Sequence, residues 1–483
     1  MRIFPIVFAC LTACRPTAAE PVAASPTTPG EAPLHPPAPV TAPAYFSGAV
    51  ELPGASLPFF VAVRPEGDGW VAAVDIPMQG ARQIPAQDVA YDGRSLSFAL
   101  DSVGAKWSVR LDDEGDSTEC SLAQSGAAFP CTLAVVDEAA YAEMLAPKRP
   151  QTPKPPLPYP TREMTIDTGA VTLAGTLALP QGPGPHPAAV LVTGSGAQDR
   201  DETISDHKPF AVLAHHLAEH GIATLRLDDR GVGGSTGTLA TSTTEDLAAD
   251  VRAAHAWLVS QPEIAKDRVG VIGHSEGGIV GPAAAATTPG IAFVVMLAGT
   301  GVPGEQVVMK QTELIVRRSG MPEAQVAQAV EQQRAIFETL RTAKDEAAAR
   351  TRVAEILGAS GPVDDAVRKP QIDVLFSPWF RAFIAHDPRP VLAKLRVPVL
   401  ALVGDLDLQV DAEQNLPAIE KALKKGKNRH ATTRRMPGLN HLFQPAKTGL
   451  PAEYGMIEVT MSPVVLTLVS DWIGALPPKA ERP

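Results

Sequence analysis

Residues 269–280 read VGVIGHSEGGIV. Apolar residues flank Gly273-His274-Ser275-Glu276-Gly277-Gly278, so an ionisable triplet hemmed by glycines sits between two segments that both favour burial. A short apolar run, a glycine-rich break and a second small-residue apolar run predict a buried strand, a sharp turn and a helix behind the strand. Outward from this point the same rhythm recurs. AAVLVTG (188–194) precedes KPFAVLAHHLAEHG (208–221), and ATLRLDD (223–229) precedes TTEDLAADVRAAHAWLVSQ (243–261). IAFVVMLAG (291–299) and VPVLALVG (397–404) follow. Strands with nearly continuous apolar residues, alternating with helices, predict an α/β domain whose mostly parallel sheet is covered on both faces. Thr243 and Thr244 ahead of Glu245 and Asp246 mark a helix start.

The rest of the 483 residues divides around this domain, expected at 161–476. Residues 303–390 break the rhythm with long charged helical patterns and read as a helical insertion that caps the domain. Residues 44–146 hold short alternating runs such as Trp107-Ser108-Val109-Arg110-Leu111, bounded by Gly, Asp and Pro, and predict a small antiparallel β-domain, sandwich or partial barrel. The Pro-rich block 147–160 reads as a linker, and the Pro/Ala/Thr-rich stretch 14–43 as an extended tether.

Residues 1–13 carry Arg2 and an apolar run too short to span a bilayer, the pattern of a signal peptide. Leu11-Thr12-Ala13-Cys14 resembles the lipobox of bacterial lipoproteins, which implies that Cys14 is lipidated. The expected address is the cell envelope, lipid-anchored and facing an oxidising space. Arg15 stands where that family tends to carry an Asp for inner-membrane retention, so the outer membrane or periplasm is favoured. With Cys10 removed and Cys14 acylated, Cys120 and Cys131 remain as an even pair, for which a disulfide is expected. A net charge of −11 argues against nucleic-acid binding, and the basic run Lys424–Arg435 reads as a solvated helix end and strand.

Gly273-His274-Ser275-Glu276-Gly277 is G-x-S-x-G at a strand-to-helix turn, where a strained serine projects above the sheet over a helix N-terminus. A serine needs a base, and the base an orienting acid. Only His430 and His441 lie beyond residue 404. His430 falls at a predicted strand, whereas His441 sits in the loop PGLNHLFQ. For the acid, Asp405, Asp407 and Asp411 all follow a strand.

At this point the chain resembles the α/β-hydrolase superfamily, in particular secreted bacterial esterases related to serine aminopeptidase-like (S33-type) hydrolases. Gly404-Asp405-Leu406-Asp407-Leu408-Gln409-Val410 matches that family's G-x-x-D-x-x-V, which implies Asp407 as the acid. VTGSGAQDRDE (192–202) matches its first glycine-rich loop, implying oxyanion donors at the backbone N–H of Ser195 or Gly196, with Glu276 as the second. Asp228-Asp229-Arg230-Gly231 resembles a structural loop, its charges expected to pair with one another.

The resemblance implies an ester hydrolase with a Ser275-His441-Asp407 triad and a small-molecule ester substrate. No metal is expected, because the histidines are read as lacking H-x-x-x-H spacing and Cys120 and Cys131 as having no partnering ligands, and no cofactor is expected. Met309, Leu314, Trp379, Phe380 and Phe383 are candidate pocket linings or cap core. A serine peptidase on the same fold is the alternative, and Glu305 and Glu313 are the carboxylates to test for holding a substrate ammonium. A third reading is an envelope-binding lipoprotein without activity, against which the intact triad set argues.

Overall fold

The computed structural model describes residues 42–478, apart from 53–54, 78–80, 125–126, 147–148 and 359–364. The signal peptide, Cys14 and nearly all of the tether lie outside the described residues. The chain forms two compact units that meet in sequence between Lys148 and Arg149.

The N-terminal unit holds strands β1 (Ala44–Leu52), β2 (Ala55–Glu66), β3 (Gly69–Ile76), β4 (Ala81–Pro85), β5 (Gln87–Tyr91), β6 (Ser95–Leu100), β7 (Ala105–Leu111), β8 (Ser117–Gln124) and β9 (Ala127–Val136), then helix α1 (Glu138–Leu145). They form one sheet in the order β4-β3-β2-β1-β9-β8-β7-β6-β5, every pair antiparallel. Along β7, Trp107, Val109 and Leu111 are buried while Lys106, Ser108 and Arg110 are exposed, as a strand with one wet face requires. Cys120 and Cys131, on neighbouring strands, are disulfide-bonded. Tyr141 of α1 donates to the buried carboxylate of Asp75 at 3.0 Å.

The C-terminal unit contains β10 (Thr161–Asp167), β11 (Thr172–Ala178), β12 (His186–Val192), α2 (Pro209–Glu219), β13 (Ala223–Leu227), α3 (Thr244–Val259), β14 (Ile264–His274), α4 (Gly277–Thr287) and β15 (Val294–Leu297). Five helices follow: α5 (Gly304–Arg318), α6 (Glu323–Thr342), α7 (Glu346–Gly358), α8 (Asp365–Phe376) and α9 (Pro378–Ala385). The short α10 (Arg389–Leu392), then β16 (Val399–Gly404), α11 (Ala412–Lys425), β17 (Ala431–Met436) and α12 (Pro463–Ala475) complete it.

The sheet order is β10-β11-β13-β12-β14-β15-β16-β17, antiparallel from β10 to β13 and parallel from β13 onward. Strand alternation splits the core. Val295, Leu297, Leu400 and Leu402 face α2 and α12, while Val294, Met296, Val399 and Ala401 face α3, α4 and α11. Helix α3 starts with a capping box between Thr243 and Asp246. The helices α5–α9 build an apolar cluster that also takes in Leu239, ahead of α3, and Leu247 at the start of α3, with Phe337, Val353 and Phe380 among its most buried members.

The chain crosses over between β12 and β14, the strand pair from which β13 lies to one side and β15 to the other. In open α/β sheets, ligands bind beyond the strand C-termini at such a point.

The block 147–160 does not run free. Arg149 donates to Ser205 O and Gly455 O, both at 2.9 Å. Gln151 donates to Met461 O at 2.8 Å and accepts from the N–H groups of Thr460 and Met461 at 2.7 and 3.0 Å. Tyr159 is buried against Ala178 and Ala218. From Arg149 on, the expected linker is therefore part of the C-terminal unit. A chain cut to 161–483 is expected to be less stable than one cut to 149–483 by at least about 3 kcal/mol, from lost charged hydrogen bonds and aromatic burial. Paired denaturant melts of the two truncations check this.

Candidate active site

The backbone at Ser275 sets the site. Its φ of 53° lies in the left-handed region that costs a non-glycine residue of order 1–3 kcal/mol. The Ser275 N–H donates to Leu297 O of β15 at 2.8 Å, which extends the ladder through the turn. A Cβ at Gly273 would meet Gly277 O at 2.0 Å, and one at Gly277 would meet Val192 O at 2.1 Å. Glycine at both positions is what lets β14 turn into α4 while the end of β12 presses against the turn.

The loops after β16 and β17 bring Asp407 to His441, whose Nδ1 lies 2.8 Å from Asp407 Oδ2. The N–H groups of Gln409 and Val410 donate to Asp407 Oδ1, each at 2.8 Å. Both side chains are buried. The other two aspartates do different work: Asp405 accepts from Gly438 N–H at 2.6 Å, and Asp411 caps α11 through Gln414 N–H. His430 is exposed just ahead of β17. Among the described residues no hydrogen bond runs from Ser275 Oγ to His441 Nε2, and catalytic hydrogen bonds of this kind often tighten only in the complex with substrate.

The loop after β12 places Gly194 against the serine, where a Cβ would stand 3.2 Å from Ser275 Cβ. Gly194 N–H is taken by Glu202 Oε1 at 2.6 Å. Among the described residues the N–H groups of Ser195, Gly196 and Glu276 donate to no protein group.

Residues that the sequence passed over complete the picture. His274 Nδ1 meets Glu202 Oε1 at 2.8 Å, and its Nε2 meets the backbone carbonyl of His441 at 3.0 Å. Trp379 of α9 donates its indole N–H to Glu276 Oε1 and Oε2, at 3.0 and 3.2 Å. Glu202 lies within the quoted glycine-rich stretch and His274 and Glu276 within the motif itself. Only the fold reveals their partners.

The charges of 228–230 pair outward, not with one another as expected. Arg200 forks onto Asp228, Nε to Oδ1 at 3.0 Å and Nη2 to Oδ2 at 2.7 Å. Arg230 forks onto Asp250 at 2.6 and 2.9 Å. Asp229 accepts from Thr193 Oγ1 at 2.7 Å and Gln198 N–H at 2.9 Å. The carboxylates proposed for an ammonium are already neutralised: Glu305 pairs with Arg341, and Glu313 with Lys310 and Arg317. Of the candidate linings, Phe380 is fully buried in the insertion's cluster, with Met309 and Phe383 against it, and Trp379 reaches Glu276. Contrary to the spacing read from the sequence, His216 of α2 and His220 at its C-terminal end form an H-x-x-x-H pair, with stacked rings. His216 Nε2 lies 3.1 Å from Ser470 Oγ, and His220 Nδ1 lies 2.7 Å from the carbonyl oxygen of His216.

Burial pushes the Glu276 carboxyl up to about 7, against the hydrogen bonds from Ser195 and Trp379. Burial likewise pushes Asp229 up to about 8, against the bonds from Thr193 and Gln198 and reinforced by the charges of Glu202 and Glu276. Both groups line a cavity of about 60 Å³ beneath the serine loop, with Thr193, Gly194, Leu239 and Val280.

A mostly parallel sheet with a serine on its sharpest strand-to-helix turn, and a hydrogen-bonded His–Asp pair beyond the next strands, defines the α/β-hydrolase class. Residues 168–429 match the family described as X-Pro dipeptidyl-peptidase (S15 family), and the chain belongs to that family. It is 29% identical over 240 residues to the esterase EstD of Thermotoga maritima, covering 49% of this chain and 50% of that protein. It is 33% identical over 133 residues to an uncharacterized protein of Mycobacterium tuberculosis, covering 28% of this chain and 44% of that one. The chain thus spans half or less of the length of these curated relatives. An esterase of Pyrococcus furiosus superposes with a TM-score of 0.38 at 17% identity, covering 58% of this chain and 83% of that chain.

Glu276 yields a pH prediction. Its carboxyl is raised from 4.5 to about 7 in the folded chain, so the unfolded chain ionises first. Its penalty is absent below about pH 4.5, grows as pH rises to about 7, and is constant above. Glu276→Gln is expected to match the native chain at about pH 4 and exceed its stability by on the order of 3 kcal/mol at about pH 8. Urea melts at the two pH values check it.

Proposed function

We propose that this chain is a serine hydrolase that cleaves carboxylic esters through Ser275, His441 and Asp407. The observation that carries the reading is the 2.8 Å hydrogen bond from His441 Nδ1 to Asp407, beyond the strand ends where Ser275 holds its left-handed turn. His441 Nε2 takes the Ser275 proton as Oγ attacks the ester carbonyl. Asp407 holds the tautomer and balances the imidazolium. The oxyanion is met by the N–H of Glu276 and by Ser195 or Gly196, whose lack of protein acceptors supports that role. The imidazolium then returns its proton to the leaving alcohol, and water activated by His441 releases the acid. Helices α5–α9 cap the site, a role supported by the reach of Trp379 to the residue after the serine.

Ester cleavage is favoured by the likeness to a relative called an esterase and by the ion pairs that occupy Glu305 and Glu313. A peptidase is the second reading. It is favoured by the family's description and by Glu276 and Asp229, two carboxyls lining one cavity whose hydrogen bonds among the described residues come from neutral donors. For location we keep the expected lipoprotein: Cys14 acylated, residues 15–43 the tether, the enzyme in the cell envelope.

Ser275→Ala is expected to lower p-nitrophenyl acetate hydrolysis by at least about a thousandfold with the melt unchanged. Asp407→Asn should cost on the order of a thousandfold, while Asp405→Asn stays within about tenfold. A panel of chromogenic esters and Xaa-Pro anilides separates the readings: turnover of anilides alone favours the peptidase.

Cys14→Ser is expected to move the enzyme from the membrane fraction to the soluble fraction of lysed cells, since one or more acyl chains are its only proposed anchor. Retention with membranes removes Cys14 from that role.

A further inference from the structure

His274 stands next to the serine yet has no part in the proposed chemistry. It is 4% exposed, and Glu202 is 1% exposed. Each ring nitrogen faces an atom that accepts. Nε2 meets the carbonyl oxygen of His441, which has no proton to give. Nδ1 meets Glu202 Oε1, which already accepts the Gly194 N–H at 2.6 Å. Glu202 Oε2 has no hydrogen-bond partner, so a proton placed there would find no acceptor. With the proton on the ring rather than on the carboxyl, both imidazole nitrogens donate, Nδ1 to Glu202 Oε1 and Nε2 to the His441 carbonyl.

This pair ties together three loops far apart in sequence. The backbone of His274 is the first half of the serine turn. Its Nε2 holds the loop that carries His441, and the two rings lie 4.8 Å apart. Glu202 holds Gly194, the residue before Ser195 and Gly196. A second cation so close would oppose the charging of His441 during catalysis. Glu202 cancels that charge at its source, while Asp407 faces His441 from the loop after β16.

We propose that His274, kept as an imidazolium by Glu202, is a positioning residue that fixes the loop of His441 and the loop of Ser195 against the Ser275 turn. Burial pulls this imidazole down, and the charge and hydrogen bond of Glu202, the His441 carbonyl and the charge of Asp407 raise it beyond that. The proposal rests on His441 being the base.

The test uses the full chain with p-nitrophenyl acetate. His274→Asn can still reach Glu202 but not the His441 carbonyl, and kcat is expected to fall about 100-fold with KM within about threefold, as for a misplaced catalytic group. His274→Gln can reach the carbonyl and should recover most of that loss. In ¹⁵N-histidine spectra at about pH 8, well above the usual imidazole value near about 6.5, the resonances missing from His274→Asn should show both nitrogens protonated. Should His274→Asn fail to fold, Glu202→Gln, which keeps the acceptor for Gly194 but removes the charge, must leave one His274 nitrogen unprotonated at that pH and lower kcat. A His274→Asn kcat within threefold of the native chain, or an unprotonated His274 nitrogen in the native chain, overturns the proposal. Hydrolysis that survives Ser275→Ala overturns the serine reading instead.

Discussion

The backbone of Ser275 is held in a conformation that a serine would leave if it could. What prevents it is close contact between pieces of main chain. Gly277 admits the carbonyls of Val192 and Thr193, and Gly278 lies against Gly299, each where a Cβ would collide. The ends of β12, β14 and β15 are thereby pressed into one block around the turn. The Ser275 N–H bond to Leu297 O fastens that block to the buried ladder. Strain persists only where the surroundings over-determine it. Here the surroundings are the most buried strands of the sheet, whose side chains pack on both faces.

Five carboxyls gather around that block, and the structure treats each differently. Asp228 is neutralised by the Arg200 fork. Asp407 is met by two N–H groups and His441. Glu202 is met by His274 and Gly194. Glu276 and Asp229 receive only neutral donors. A buried carboxylate without a cation is expensive, and its pKa rises until protonation relieves the cost. The site therefore combines carboxyls met by an arginine or a histidine with two, Glu276 and Asp229, that take up protons near neutrality.

The parallel core was legible because strands covered on both faces carry unbroken apolar runs, as in Val399–Val403. β10 and β11 were not. β10 buries only Ile166, so it shows no period, and β11 carries Gly175, where a Cβ would meet Arg226 O at 2.4 Å. In the N-terminal unit, one-sided burial made runs such as β7 readable, while β4 and β5 have too little buried surface to show. Ser275, Asp407 and His441 could be named because a local motif and chain order point to them. Local pattern alone left Asp405, Asp407 and Asp411 open, and in the structure only one of them meets His441. The His274–Glu202 pair spans 72 positions and His274–His441 spans 167. No periodicity links such residues; the strand order brings them together. The Pro-rich block misled for a related reason. Its composition excludes a core of its own, but Arg149 and Gln151 find main-chain acceptors and donors on the neighbouring loops.

The link between Trp379 and Glu276 couples the insertion to the sheet. An indole N–H donates more strongly to a carboxylate than to a carboxylic acid, so the bond that holds α9 over the serine turn tightens when Glu276 ionises. The same ionisation weakens the fold, because among the described residues the buried charge is met only by neutral donors. The two effects oppose one another across the pH range in which the carboxyl titrates. A lysine in place of Trp379 would satisfy the charge but lose an aromatic body buried with Phe380 and Phe383. Tryptophan serves both needs: one face completes the apolar cluster of the insertion, and one N–H reaches across to the residue that follows the serine.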